Sequence, residues 1–398
     1  MTELAAREAA ALMHTYQRLP VAFVRGDGTR LFDVAGKSYL DCLSGIAVTS
    51  VGHANPRVAE AVNRQMSALV HVSNLFYTAP QVDLAEQLCR LSGLDRVFFS
   101  NDGATANEAA IKLARRWGQA QRGPECFEVI TLDGSFHGRT LATLAATGQP
   151  AKQARFIPLP TGFLQIPPND LPAVAAAIHG GTAAVMIETT QGEGGVLPLV
   201  EEYLTDLRSL CDDRRVLLIV DDVQAGVGRT GTWFSWQSLG FAPDIATAAK
   251  ALANGLPIGA CLATKQVAAA FQPGDHATTF GGGPVICAAA LATLAEIEET
   301  KLLDNVVARG EQLRLLLERV AGVAQVRGRG LLIAAVLQEP IAEEVVSAAL
   351  GEGLVINNVL PDVVRFTPPL TISAEEVAEA VRRFEKAVAR ATPEGPTA

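Results

Sequence analysis

The sequence predicts an α/β protein: a mostly parallel sheet covered by helices on both faces, followed by a smaller α+β domain. Three observations point there. Val216 to Val220 is a run of five apolar residues, which reads as a strand buried on both faces. Val129–Leu132 and Ala183–Glu188 read the same way, and helical stretches lie between these runs. After a long helix that starts near Ala288, strands and helices mix without further buried runs, so the C-terminal part is a separate unit.

The Val216–Val220 run ends in Asp221 and Asp222, and open α/β sheets bind ligands beyond the carboxyl ends of their strands. A second short apolar segment, Asp244–Ala249, delivers Lys250. An acid and a lone amine at one sheet edge suit a pyridine cofactor, because the acid keeps a ring nitrogen protonated and the amine forms a Schiff base with an aldehyde. The same residue types also serve as a helix cap, a magnesium ligand or a solvated lysine. Gly226, Gly228 and Gly231 match dinucleotide-loop spacing, but they follow the strand late. Residues 232–236 open no amphipathic helix, so that spacing is not read as a nucleotide site.

Composition bounds the alternatives. With 398 residues, 49% hydrophobic and 19% charged, the chain can bury a large core. A net charge of −9 argues against nucleic acid as the partner. There is no run of eighteen apolar residues to span a membrane and no apolar leader at the N-terminus, so the expected setting is cytoplasmic. The six cysteines and six histidines are scattered without disulfide or metal-ligand spacing, so no metal is expected.

In order, residues 4–14 predict a short helix, 21–24 and 31–34 a hairpin around Gly26–Gly28, and 39–43 a short strand. Pro56 opens a helix to about Leu69. The segment His71 to Leu88 is aromatic at Phe76 and Tyr77 before the next helix. Arg96–Ser100 is a strand, and Asn101 to Thr105 turns into a helix running to Trp117. Free amides at such a helix start form an anion site. The loop from Gly134 to Thr140 gathers Phe136, a histidine and Arg139, suited to a flat ring and a carboxylate. Ala183–Glu188 runs into a glycine-rich loop carrying Glu193, and a helix covers 201–213. Past Lys250 come a strand at 257–264 and a polar loop with Thr278 and Thr279. Helices follow at 288–303 and 304–320. Strands at 324–326, 331–337 and 363–367, with helices at 341–350 and 374–389, complete the chain, and its last residues form a mobile tail.

The motifs GIAVTSVGHANP, SNLFYTAPQVDLAEQL, NDGATANEAAIKLAR, FHGRT, QGEGGV, LLIVDDVQAGVGRTG, PDIATAAKALANGLPIGA, TTFGGGP and RFTPPL resemble those of the class III, fold-type I pyridoxal-phosphate aminotransferases. The resemblance runs from about Pro20 to Phe384 and is strongest to the acetylornithine subgroup. It implies a large domain with a mostly parallel seven-stranded sheet at 51–290 and a small α+β domain at 291–390. The N-terminal segment 1–50 would belong to the small domain, and 391–398 would be the tail. It implies pyridoxal 5′-phosphate held by Lys250, with Asp221 at the ring nitrogen, Val223 and Phe136 on the ring faces and Gln224 at the phenolic oxygen. Gly103 and Ala104 would take the phosphate, joined by Thr279 from a partner in a homodimer. Arg139, with Thr278 nearby, would bind substrate carboxylate, while Glu193 would neutralise Arg365 until 2-oxoglutarate displaces it. The implied reaction moves the terminal amine of N2-acetyl-L-ornithine to 2-oxoglutarate in arginine, or a related lysine, biosynthesis. Ornithine, 4-aminobutyrate and other ω-amino donors are the alternatives, and a non-catalytic cofactor-binding protein is a third reading.

The chain departs from the family pattern at Asp102 (usually Ser), Asp222 (Glu), Ala225 (Thr), Thr189 (Pro) and Gly283 (Asn). A carboxylate at Asp102 repels a phosphate unless it turns away to cap the helix, and the alternative is weaker cofactor retention.

Overall fold

Seven strands form the central sheet of the computed structural model, which describes residues 2–392. In chain order they are β1 (Arg96–Ser100), β2 (Glu128–Leu132), β3 (Phe163–Ile166), β4 (Thr182–Ile187), β5 (Leu217–Asp221), β6 (Ile245–Ala248) and β7 (Gly259–Ala263). Across the sheet they lie β1-β7-β6-β5-β4-β2-β3. Only β7 runs against its neighbours, pairing antiparallel with β6 and β1. The other pairings are parallel. All residues of β4, β5, β6 and β7 are buried, as continuous apolar runs with covered faces require.

The helix Gly103–Arg122 crosses β7, β6 and β4 on one face. It turns Ala106, Ala109, Ala110, Ile111, Leu113 and Ala114 inward, a stripe of mostly small side chains that lets it sit close to the sheet. It also extends beyond the expected end at Trp117, because nothing breaks it before Gly123. β3 and the helix Leu171–Ala177 escape the sequence reading. β3 is a four-residue edge strand, partly exposed along its length, so it lacks the buried run that marks the inner strands.

At the C-terminal end, Val323–Arg329, Leu332–Leu337, Val363–Phe366 and Asn357–Leu360 form an antiparallel sheet in that order. The helices Leu302–Leu317, Ala342–Gly351 and Ala374–Ala391 pack with it and one another. The beginning of the chain returns here. A hairpin of Phe23–Asp27 and Arg30–Asp33 continues into Ser38–Asp41, which pairs in parallel with Leu354–Val355. Leu354–Val355 is too short to read from sequence at two residues, and Asn357–Leu360 is half-exposed and polar at its start.

The expected tail at 391–398 is corrected at its start. Ala391 closes the last helix, whose apolar face continues that far, while residues 393–398 lie outside the described residues. No helix among the described residues is long and apolar enough to cross a membrane.

Candidate active site

The carboxyl ends of β4, β5 and β6 deliver Glu188, Asp221 and Lys250 to one cavity of about 410 Å³. Phe136, His137, Arg139, Glu193, Val223, Gln224 and the helix start at Asp102–Ala104 also line it. The site thus sits where parallel α/β sheets place ligands, at the ends of strands rather than along them.

Asp221 is the most closely held group. Asn107 Nδ2 donates to its Oδ2 at 2.7 Å, and His137 Nδ1 lies 2.7 Å from the same oxygen. The Val223 amide donates to Oδ1 at 3.1 Å. Asn107 is itself fixed, donating to the His137 carbonyl and accepting from Thr247 Oγ1, each at 2.7 Å. Burial disfavours a charged His137, but the bond to Asp221 outweighs it and holds the imidazole pKa above the ordinary value. These bonds hold the buried carboxylate in one orientation.

The amine of Lys250 is pushed down to about 8, chiefly by burial and then by Arg365, against the pull of Glu193, Asp221 and Glu188. The neutral amine, the form that attacks an aldehyde, is therefore a minority near physiological pH but far more populated than in an ordinary lysine. Its φ of 33° is left-handed, so the lysine leaves β6 through a sharp turn into the cavity wall. A second strained stretch borders the cavity. Ser44, Gly45, Ile46 and Ala47 all have positive φ, held by Asp41 Oδ1 accepting the Leu43 and Ser44 amides, and they set Val48 in the lining.

Glu188 accepts the Phe136 amide at 2.9 Å, tying the aromatic loop to β4. Burial, and then the charge of Asp221, raise its pKa to about 7. Asp222, behind Asp221, is also raised to about 7, mainly by burial. It accepts the Ser235 amide at 2.9 Å, and its Oδ1 has no partner.

Asp102 turns to its own helix. It accepts the Thr105 amide at 2.7 Å, and Thr105 Oγ1 returns to the Asp102 amide at 3.0 Å, a complete capping box. The outward alternative is the one the geometry shows. The next amides, Gly103 and Ala104, have no intrahelical acceptor and border the cavity. A side chain at 103 would meet Val223 Cγ1 at 2.6 Å, so only glycine lets that turn close on the site.

Glu193 and Arg365 meet across the loop from Thr190 to Val196. Arg365 stands on the Val363–Phe366 strand and is fully buried. Its Nη1 donates to Glu193 Oε1 at 2.7 Å and Gln224 Oε1 at 3.2 Å, and Nε donates to Asn357 Oδ1 at 3.2 Å. Burial works to raise the Glu193 pKa, yet Arg365 keeps it below the usual carboxylate range.

Two expected residues stand apart. Thr278 and Thr279 border a second hollow, with Asn74 and Phe99, rather than the Lys250 cavity. Asn74 Nδ2 donates to the Thr278 carbonyl at 3.1 Å, and Asn101 Nδ2 to Thr278 Oγ1 at 3.2 Å. The sequence reading did not single out Asn107, Thr247 or Glu188 as site residues, nor give His137 a role of its own. Glu188 carried the signal that found Asp221, a carboxylate ending an apolar run, and His137 lies between Phe136 and Arg139. Asn107 and Thr247 carry no sequence signal. Among the described residues no cluster of three His, Cys, Asp or Glu side chains is gathered as a metal site.

A helix start with free amides, an acid, a low-pKa amine and an aromatic side chain in one cavity fit a phosphorylated pyridine aldehyde. Fold and site together define a pyridoxal-phosphate-dependent transferase. The chain belongs to the class-III aminotransferases, whose family model, "Aminotransferase class-III", matches residues 11–388. It is 49% identical over 384 residues to the acetylornithine aminotransferase of Gloeobacter violaceus, covering 95% of this chain and 96% of the relative. It is 46% identical over 378 residues to that of Methanocaldococcus jannaschii, covering 94% and 95%. Among solved structures, the N-acetylornithine aminotransferase from Stenotrophomonas maltophilia matches with TM-score 0.83 and 38% identity, over 95% of this chain and 97% of that one. The ornithine aminotransferase from Toxoplasma gondii matches with TM-score 0.94 and 32% identity, over 98% and 95%.

Proposed function

We propose that this aminotransferase takes the terminal amine of N2-acetyl-L-ornithine and passes it to 2-oxoglutarate, as a homodimer. The Glu193–Arg365 pair carries the reading. An enzyme with two unlike substrates needs a cation for the second carboxylate of 2-oxoglutarate and must hide it from the donor, and a buried guanidinium neutralised by a movable acid does both. Relatives at 46–49% identity that carry the acetylornithine name favour that donor over ornithine or 4-aminobutyrate.

Bound in the cavity, pyridoxal phosphate supplies an aldehyde for the lysine and a protonated ring that takes up the electrons left when a substrate C–H bond breaks. Asp221, braced by Asn107 and His137, holds the proton on the ring nitrogen. Val223 and Phe136 would flank the ring, and Gln224 would reach its phenolic oxygen. The Gly103 and Ala104 amides would take the phosphate. Lys250 Nζ carries the proton away from the amine-bearing carbon, and Arg139 orients the substrate through its carboxylate. When 2-oxoglutarate enters, Glu193 gives up Arg365 to the α-carboxylate.

The partner subunit's Thr279 would complete the phosphate cradle. Two features support that: Thr279 lies outside this chain's own cavity, and Leu75 at the second hollow, together with Phe76, Tyr77 and Phe280 close to its lining residues in the chain, are largely exposed apolar side chains.

The test is a panel of donors, namely N2-acetylornithine, ornithine and 4-aminobutyrate, with 2-oxoglutarate and glutamate release as the readout. Acetylornithine should lead. Preference for another donor would replace it while leaving the reaction type, and no glutamate from any donor would remove the reading.

A further inference from the structure

A half-buried ammonium without a counter-ion stands over the Phe136 ring, next to but not among the residues that line the Lys250 cavity. Lys152 lies on the short helix Pro150–Gln153, with Nζ 5.0 Å from the centre of the Phe136 ring. The guanidinium of Arg139 lies 5.6 Å from the same ring. Lys152 Nζ donates to Gln149 Oε1, and Gln149 Nε2 donates to the carbonyls of Gly134 and Ser135, each at 3.2 Å. Those two residues lead directly into Phe136, so the amine is anchored to the loop that carries the aromatic wall. Among the described residues Lys152 forms no salt bridge, and an ammonium has three donors of which one is used. Burial pushes its pKa down. The charges acting on it are those of the substrate wall: Glu193 and Glu188 pull it up, Arg139 and Arg365 push it further down.

Charge makes this placement costly unless something anionic comes to it. Two cations over one aromatic ring repel each other, and an acid supplied from outside relieves both. An arginine fork leaves part of a carboxylate's acceptor capacity unused, and a lysine on a flexible stem can fill it.

We propose that Lys152 is a specificity-determining residue which joins Arg139 in gripping the substrate carboxylate farthest from the reacting carbon. The proposal rests on the role given above to Arg139. Lys152 then favours acids with a distal carboxylate, such as 2-oxoglutarate, over short keto acids that lack one. A purely structural cation over Phe136 would make no such distinction.

The experiment uses holoenzyme and two readouts. Glutarate, an unreactive dicarboxylate, is titrated calorimetrically into the wild type and into Lys152→Gln, Lys152→Met and Lys152→Arg. The neutral variants should bind glutarate about five- to tenfold more weakly, and Lys152→Arg should restore most of the affinity. In turnover, the ratio of kcat/KM for 2-oxoglutarate to that for pyruvate should fall by a similar factor, with the loss in KM. Unchanged glutarate affinity in both neutral variants, or equal losses with both keto acids, overturns the proposal. If the wild type binds glutarate through Lys152 yet turns over no donor, the proposal stands and the function above falls. Glutamate release without any effect of Lys152 on glutarate gives the reverse result.

Discussion

Glu193 Oε1 accepts a hydrogen bond from Arg365 Nη1 at 2.7 Å, while Nη2 of the same buried guanidinium has no partner. A buried N–H without an acceptor carries a free-energy penalty that a second carboxylate could relieve. Arg365 is thus half-satisfied by its own chain and open to more.

Replacing Glu193 with Ala should therefore separate the two half-reactions. The donor, which has no second carboxylate, would face an uncompensated cation and bind about tenfold more weakly, while 2-oxoglutarate would bind as well as before or better. Single half-reactions followed by cofactor absorbance check this. Equal losses on both sides would show that Glu193 is not the counter-ion that gates Arg365.

Asp221→Asn keeps the shape but removes the charge that three hydrogen-bonding groups hold in place. Turnover should fall by about a hundredfold or more with the cofactor still bound, because the lost term is electrostatic and acts on the transition state. The His137 pKa should drop at the same time, since its partner is gone, and NMR titration of that ring reads it. A small loss in rate would mean that another group protonates the ring nitrogen.

Asp222 is a buried carboxyl whose pKa is raised to about 7 from 3.8. The folded chain holds a proton there that the unfolded chain has released, so the charge costs stability progressively as pH rises from 3.8 toward 7. Asp222→Asn removes that charge and keeps an acceptor for the Ser235 amide. Its stability advantage over the wild type should grow by about 2–3 kcal/mol between about pH 5 and 8. Urea denaturation of the two proteins measures it, and an advantage that shrinks as pH rises would contradict the assignment.

Asp102 caps its helix through Thr105, so its carboxylate is already engaged. Asp102→Ser retains a capping oxygen and should change pyridoxal-phosphate affinity by no more than about twofold. Asp102→Ala loses the cap and should lower the melting stability by about 1 kcal/mol. Tighter cofactor binding in the serine variant would show that the acid does repel the phosphate.

The inner strands were legible because burial on both faces demands unbroken apolar runs. β5 shows this, and so does the placement of Asp221 at its end. Two short edge elements were not. β3 is partly exposed, and Leu354–Val355 exists because it pairs with Ser38–Asp41 from the far end of the chain. The same division holds at the site. Glycines, aspartates and lysines after strands announce themselves. Asn107 and Thr247 matter only because helix and strand bring them to within 2.7 Å of each other beside Asp221, and no local pattern encodes that. Lys152 is of the second kind, reaching Phe136 through a bend of fifteen residues that only the fold closes.

Lys250 is proposed above as the amine that meets the cofactor's aldehyde. Borohydride reduction of the holoenzyme followed by peptide mapping tests it most directly. A single pyridoxyl-modified peptide containing Lys250 is expected, and none in Lys250→Ala. Modification at another lysine in the wild type, Lys152 above all, or full transamination by Lys250→Ala would contradict it.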